Sequence, residues 1–278
     1  MPGSYSQAMA DDVLKKVLVK PGDKAELAKR SPTEDFGWDK EVAKAETAKL
    51  LAKVDGLQTR LAAEKSRSLL FVIQAMDAGG KDGTIRSMNA GLNPAGVHVS
   101  SFKAPAGRET GMDFLWRIHD VCPAKGEIGI FNRSHYEDVL VVRVKNFVPR
   151  SRWSKRYEHI RNFEKLLADE GTRIVKVHLQ ISKEEQGLRL QDRIDDPNEQ
   201  WKFRLGDLDD RKLWPQFMRA YEDAITETST KYAPWYVVPA DRKWVRNLVV
   251  AKLLVATLEE MNPRFPAPDP TLAGLKVE

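Results

Sequence analysis

Apolar residues return along this chain in two rhythms. From about Lys40 to Lys65, Val42, Ala45, Leu50, Leu51, Val54, Leu57 and Leu61 recur at helical spacing, which predicts an amphipathic helix packed on the core or on a second subunit. Leu69-Leu70-Phe71-Val72-Ile73 is an unbroken apolar run, too short to span a membrane and branched enough for a strand buried on both faces. Val97 to Phe102 alternates, as does Thr172 to Leu179. Gly126 to Phe131 and Trp235 to Pro239 complete a set of five predicted strands. Helical patterns lie between them, at Ile85 to Leu92, Glu109 to Val121, a segment running to about Glu170 that Gly171 ends, Ser182 to Asp196 and Leu213 to Thr228, and a final amphipathic helix on the sheet is expected after them, from Asp241 to Glu260. Ser182 followed by Glu185 has the form of a capping box. Strands alternating with helices predict an α/β fold around a parallel five-stranded sheet.

The ends read differently. Residues 1–37 are polar and interrupted at Pro21-Gly22 and Ser31-Pro32, which predicts an extended arm over the body. Residues 38–262 form the expected main domain. Residues 263–278, with Pro263, Pro266, Pro268 and Pro270, form an extended tail. Inside the domain, two helices between the last two strands are joined by Trp201-Lys202-Phe203-Arg204. This suggests a lid over about 183–230 that closes on reacting phosphates and excludes water. Arg189, Arg193, Lys202 and Arg204 would then reach the transferred group. The alternative is a plain helical hairpin with charged faces.

Composition narrows the class modestly. The 278 residues suit one large α/β domain. A net charge of +5 and a pI near 9.1 point to an anionic ligand without naming it. Cys122 is the single cysteine, so no internal disulfide forms. Neither a signal peptide nor an apolar run of about 20 residues is visible, so a cytoplasmic protein without membrane contact is expected.

The chemistry gathers after the first strand, in Ala75-Met76-Asp77-Ala78-Gly79-Gly80-Lys81-Asp82-Gly83. Strand, glycine turn, lysine and helix form the context of a Walker A phosphate-binding loop, whose backbone N–H groups converge on anionic oxygens. Against the usual pattern, Ala75 replaces the first glycine, Asp82 stands where a hydroxyl touches magnesium, and Asp77 lies inside the loop. Two carboxylates beside phosphate repel it unless a divalent cation intervenes. Asp77 is therefore read as a metal-organising residue or a base, with Asp82 as second choice. The plainer alternative is a tight turn with a surface lysine. The third strand ends in Asn132-Arg133-Ser134-His135-Tyr136-Glu137-Asp138, at a carboxyl end where open α/β sheets bind ligands. Arg133 suits phosphate better than metal. Arg150, Arg152, Lys155, Arg156 and Arg161 form either a solvated helix face or a wall for a long polyanion. Arg117 and His119 lie among apolar residues, and a lone His there reads as structural.

The glycine loop, the Phe131 to Asp138 run, Arg193-Ile194-Asp195-Asp196-Pro197 and Trp201-Lys202-Phe203 together resemble the polyphosphate kinase 2 family over about residues 40 to 260. The resemblance implies a P-loop, thymidylate-kinase-like three-layer α/β fold with a helical lid. It also implies transfer of phosphate between inorganic polyphosphate and a nucleotide with Mg²⁺, for which Mn²⁺ can substitute. Asn132 and Glu137 resemble the third class, which accepts both AMP and ADP and so yields ADP and ATP. The resemblance carries Asp77, Lys81 and Arg133 over as catalytic residues. On it, phosphate binding is expected at Ala78, Gly79, Gly80, Lys81, Asp82, Gly83, Arg193 and Lys202. Nucleotide binding is expected at Asn132, Arg133, Glu137 and Arg117, metal at Asp77 and Asp82, and assembly as a homo-oligomer, dimer or tetramer. Two other readings stand beside it. One is an ATP-dependent nucleoside monophosphate kinase. The other is a basic nucleic-acid-binding protein, for which the chain offers no recognition motif.

Overall fold

A computed structural model describes residues 12–277. The sheet has six strands: β1 Leu18–Val19, β2 Ser68–Gln74, β3 Val97–Ser101, β4 Ile128–Asn132, β5 Thr172–Gln180 and β6 Trp235–Pro239, in the order β1-β6-β5-β2-β4-β3. The five expected strands are the parallel ones. The sixth corrects the count: Leu18 and Val19 pair antiparallel with Tyr236 and Trp235 at the β6 edge. Two residues carry no readable period, so only the partner strand brings them out.

The arm that contains β1 is folded rather than extended. Arg30 holds it by donating to Ala25 O at 2.9 Å, Lys16 O at 2.9 Å and Leu18 O at 3.2 Å. Glu222 accepts the N–H groups of Glu26 and Leu27, both at 2.8 Å. The first eleven residues of the expected arm lie outside the described ones.

The longer helices are α1 Lys40–Glu64, α2 Lys81–Asn89, α3 Arg156–Asp169, α4 Lys183–Asp195, α5 Leu205–Lys212, α6 Trp214–Thr228 and α7 Lys243–Met261. Asp39 caps α1 by accepting from Glu41 N and Val42 N. Leu50, Val54, Leu57 and Leu61 form its buried stripe against the α7 layer. Helix α7, expected to be amphipathic, is buried on nearly every side because it lies between the sheet and α1. On the opposite face α3 and α6 bury Ile160, Phe163, Phe217 and Tyr221. Three layers result, with β2 buried along its whole length.

Two helical expectations change. Glu109 to Val121 is not one helix: it divides into single turns at Gly107–Gly111 and Trp116–His119. The chain restarts where Asp113 Oδ1 accepts from Leu115 N at 2.9 Å and Trp116 N at 3.1 Å. Of the expected lid over 183–230, α6 belongs to the core, with Phe217, Ala220, Tyr221, Ala224 and Ile225 buried. The exposed large apolar side chains of this segment, Leu188, Ile194, Trp201, Leu205 and Leu208, all precede it.

Beneath the sheet's helical cover sits a fully buried ion pair. Lys176 Nζ on β5 contacts Glu164 Oε2 at 2.5 Å, and donates to Tyr136 Oη at 2.8 Å and Thr228 O at 2.7 Å. Tyr136 Oη in turn donates to Glu164 Oε1 at 2.7 Å. Burial drives the Lys176 ammonium down to about 8, against the pull of Glu164. Removing one member of such a pair strands the other without compensation. Glu164→Ala is expected to cost about 3 kcal/mol of unfolding free energy, measured by urea denaturation at pH 7.

Candidate active site

The cleft opens above the carboxyl ends of β2, β4 and β3, the position such sheets offer to ligands. It encloses about 1260 Å³. Its floor is the turn between β2 and α2. Gly79 N donates to Met76 O at 3.0 Å and closes that turn. A side chain at Gly79 would meet Ala75 Cβ at 2.7 Å and Met76 O at 2.8 Å, so the position excludes one. Gly80 starts α2 from a left-handed φ of 97°, which a glycine adopts without strain. The N–H groups of Lys81, Asp82 and Gly83 have no acceptor among the described residues, as expected of a helix start that binds anions.

Lys81 is buried beside this turn. Its ammonium donates to Ala75 O at 2.9 Å and Met76 O at 3.2 Å, which leaves one of three donors. Burial, then the nearby Arg133 charge, lower its pKa to about 8, while Asp77, Glu137 and Asp82 pull the other way. Asp77 Oδ1 lies 2.5 Å from Arg133 Nη2. Burial alone would raise the Asp77 carboxyl, but Lys81, Arg133, Arg204 and Arg193 together hold it below the usual range. Arg133 takes a left-handed φ of 64°, and its backbone N–H donates to Ile73 O at 3.1 Å. This strained corner turns its side chain back over the glycine loop. Glu137 Oε2 stands 3.7 Å from Arg133 Nη1, on a carboxyl that burial raises. Asn132 Nδ2 donates to Asp82 Oδ1 at 2.8 Å and so ties the end of β4 to the first turn of α2.

Helix α4 holds the loop from the side. Gln186 Nε2 donates to Asp77 O at 3.0 Å. Arg189 donates to Ala78 O at 3.2 Å, Ala240 O at 2.7 Å and Asp241 O at 2.9 Å, and pairs with Glu185 at 2.8 Å. Arg189, expected to reach the transferred group, lines the cleft but acts there as a brace: its donors are taken by main-chain oxygens and by Glu185. Arg193, Lys202 and Arg204 line the cleft as well, with Lys202 paired to Glu199.

The cleft wall therefore contains Ala78, Gly79, Gly80, Lys81, Asp82, Gly83, Asp77, Asn132 and Arg133. Glu137 and Arg117 are not among its lining residues. Glu137 backs Arg133, while Arg117 donates to Lys103 O at 2.7 Å and so fixes a residue that does line the wall. The basic run at 150–161 is also absent from this wall. Arg156 is buried against Asp138 Oδ1 at 2.7 Å, and Arg161 donates to Glu227 O at 2.8 Å. His119 lies edge-on to Phe163, with ring centres 5.4 Å apart, a packing contact.

Arg86, Lys103, Lys243 and Arg246 supply cations that sequence reasoning did not place here. Arg246 lies so close to the loop that a Cβ on Gly80 would meet its Nη1 at 2.0 Å. Its one sequence signal is a charge at a position that the surrounding apolar pattern of α7 buries.

The family model for polyphosphate kinase 2 matches residues 37–266. The chain belongs to this family. Over 267 residues it is 52% identical to an AMP/ADP-polyphosphate phosphotransferase of Meiothermus ruber, covering 95% of this chain and 100% of that one. Over 269 residues it is 41% identical to an ADP-polyphosphate phosphotransferase of Rhodopseudomonas palustris, covering 92% and 93%. The crystal structure of polyphosphate kinase 2 from Arthrobacter aurescens superposes with a TM-score of 0.88 at 41% identity, covering 94% of this chain and 92% of that one.

For a polyphosphate kinase 2 the donor set suits a hard cation that arrives with its phosphates. Mg²⁺ is held by one or two carboxylates together with phosphate oxygens and waters. Asp77 and Asp82 line one cleft and fit that share. Among the described residues no group of three or more His, Cys, Asp or Glu forms a cage that could hold a metal without phosphate. No helix of the described residues is long and apolar enough to cross a membrane.

Proposed function

We propose that this protein transfers the terminal phosphoryl group of inorganic polyphosphate to AMP and to ADP, giving ADP and ATP, and that the reaction runs in both directions. The observation that carries the reading is the convergence of Lys81, Arg133 and the unpartnered N–H groups of α2 on one loop, with Asp77 among them. The names of the Meiothermus and Rhodopseudomonas relatives supply the substrate classes.

An oxygen of the acceptor's terminal phosphate attacks the end phosphorus of the chain. The bond from that phosphorus to the bridging oxygen breaks, and the shortened chain leaves with the electron pair. The acceptor is already ionised near pH 7, so no strong base is needed. The N–H groups of Lys81, Asp82 and Gly83 hold the transferred group. The Lys81 ammonium and the Arg133 guanidinium neutralise charge that spreads over its oxygens. Arg193, Lys202 and Arg204 complete the cationic surround from the segment between β5 and β6. Asp77 keeps Arg133 over the loop, and with Asp82 would hold Mg²⁺. The ion, when bound, supplies charge neutralisation between the two phosphate substrates.

The test is incubation with AMP and polyphosphate in Mg²⁺ without ATP. ADP should appear first and ATP later, read by anion-exchange chromatography. Turnover of AMP only when ATP is added would overturn the reading in favour of an ATP-dependent kinase.

A further inference from the structure

The residue that ends β2 stands between the two stretches that carry the chemistry. Gln74 is fully buried, and its neighbour Ala75 offers the carbonyl that holds the Lys81 ammonium. Main-chain pairing of β2 with β4 ends at Ile73 opposite Asn132. Beyond it the Gln74 side chain reaches the turn that follows β4, where Ser134 and Glu137 meet its amide. One orientation of that amide satisfies both. Its nitrogen donates to Glu137 Oε1 at 3.0 Å, and its oxygen accepts from Ser134 N and Ser134 Oγ, each at 3.0 Å. Reversed, it would set oxygen against the Glu137 carboxylate and nitrogen against the Ser134 N–H.

These contacts enclose Arg133. With its left-handed φ of 64°, Arg133 is strained, and such a conformation persists only where the surroundings over-determine it. Two bonds from β2 do so. Ile73 O accepts from Arg133 N at 3.1 Å, and the Gln74 amide takes the next N–H, that of Ser134. The Ser134 N–H has no main-chain acceptor among the described residues, so this side chain satisfies a donor that folding would otherwise strand. Behind the guanidinium, Glu137 Oε2 is 3.7 Å from Arg133 Nη1 while Gln74 holds the other oxygen of the same carboxylate. Burial raises the Glu137 carboxyl, and Arg133, Lys81 and the Gln74 amide oppose this. Ser134 Oγ also accepts from Tyr136 N at 3.2 Å, which shapes the turn that brings Glu137 back. Gln74 itself does not line the cleft, so it acts through Arg133 and not on a substrate.

We propose that Gln74 is a positioning residue for the phosphoryl transfer: its amide fixes the corner that presents Arg133 over the glycine loop and ties the carboxylate behind Arg133 to the end of β2. The inference rests on the polyphosphate reading and adds to it a neutral group, outside the cleft, that governs the rate.

The test is Gln74→Met, which keeps the length of the side chain and removes its hydrogen bonds. For AMP with polyphosphate, kcat should fall about 10²-fold, the scale of a displaced catalytic group. KM for each substrate should stay within about twofold, since the loss falls on the transition state. The deciding measurement is a double-mutant cycle with Arg133→Ala. In that background Gln74→Met should lower kcat less than about threefold, because the group it positions is gone. Ser134→Ala loses the hydroxyl contact and keeps the N–H. Its kcat should fall about tenfold with the same dependence on Arg133, and it carries the test if Gln74→Met does not fold. Equal losses with and without Arg133, or a raised KM at unchanged kcat, would overturn the proposal and leave the polyphosphate reading intact. A wild-type protein that makes no ADP from AMP and polyphosphate would overturn that reading, and this inference with it.

Discussion

Lys81→Ala is expected to lower kcat/KM for polyphosphate-driven phosphorylation of AMP by about 10³-fold, as loss of one pre-placed cation does in phosphoryl transfer. The side chain is buried, so no water-borne cation replaces it cheaply, and two of its donors already hold it against Ala75 O and Met76 O. The fold should survive, because the ammonium is itself destabilising where it stands. Its pKa is about 8 in the folded protein against an ordinary 10.5. Between these values the unfolded chain binds more protons than the folded one, so this residue's contribution to stability rises with pH. Its penalty is fully present below about 8 and is gone above 10.5. Comparing urea midpoints of wild type and Lys81→Ala across that window isolates the effect, since other titrating groups cancel. The same pKa sets a limb on the rate. Wild-type kcat/KM should fall as pH climbs through about 8, and Lys81→Arg should lose that limb, because a guanidinium does not titrate there.

Asp77→Asn should lower kcat by a comparable 10³-fold for a different reason. The amide keeps the shape but cannot balance Lys81, Arg133, Arg204 and Arg193. Arg133 loses its contact at 2.5 Å and is held over the loop only by Glu137. The pH signature has the opposite sense to that of Lys81. The Asp77 carboxyl is held below its ordinary 3.8, so its stabilisation is fully present above that value and disappears as pH falls through the folded pKa. The stability gap between wild type and Asp77→Asn, measured by urea denaturation, should therefore close towards low pH. Near-normal turnover in either variant would remove the mechanism.

The glycine loop was legible because its information is local. A strand of seven buried residues, a turn that tolerates no side chain at Gly79 and a left-handed Gly80 all lie within one short stretch. Arg133 was legible for a related reason, since it ends the strand next to β2. The fate of the other cations was not. Arg156 and Arg246 look alike in the sequence, each a charge on a helix. Arg156 folds against Asp138, while Arg246 comes to rest on Gly80. Arg189 was expected at the phosphate and became a brace, because the backbone of Ala78, Ala240 and Asp241 reaches it first.

By itself, then, the chain determined its alternation of strand and helix, the anion-binding turn and the family to which these belong. Each rests on residues close enough in sequence for side-chain periodicity and backbone sterics to act directly. Which cations face the cleft, which are buried as braces, and whether the arm pairs with the sheet were decided only on folding. A long charged side chain takes whichever acceptor packing brings within reach, and those acceptors come from segments far apart along the chain.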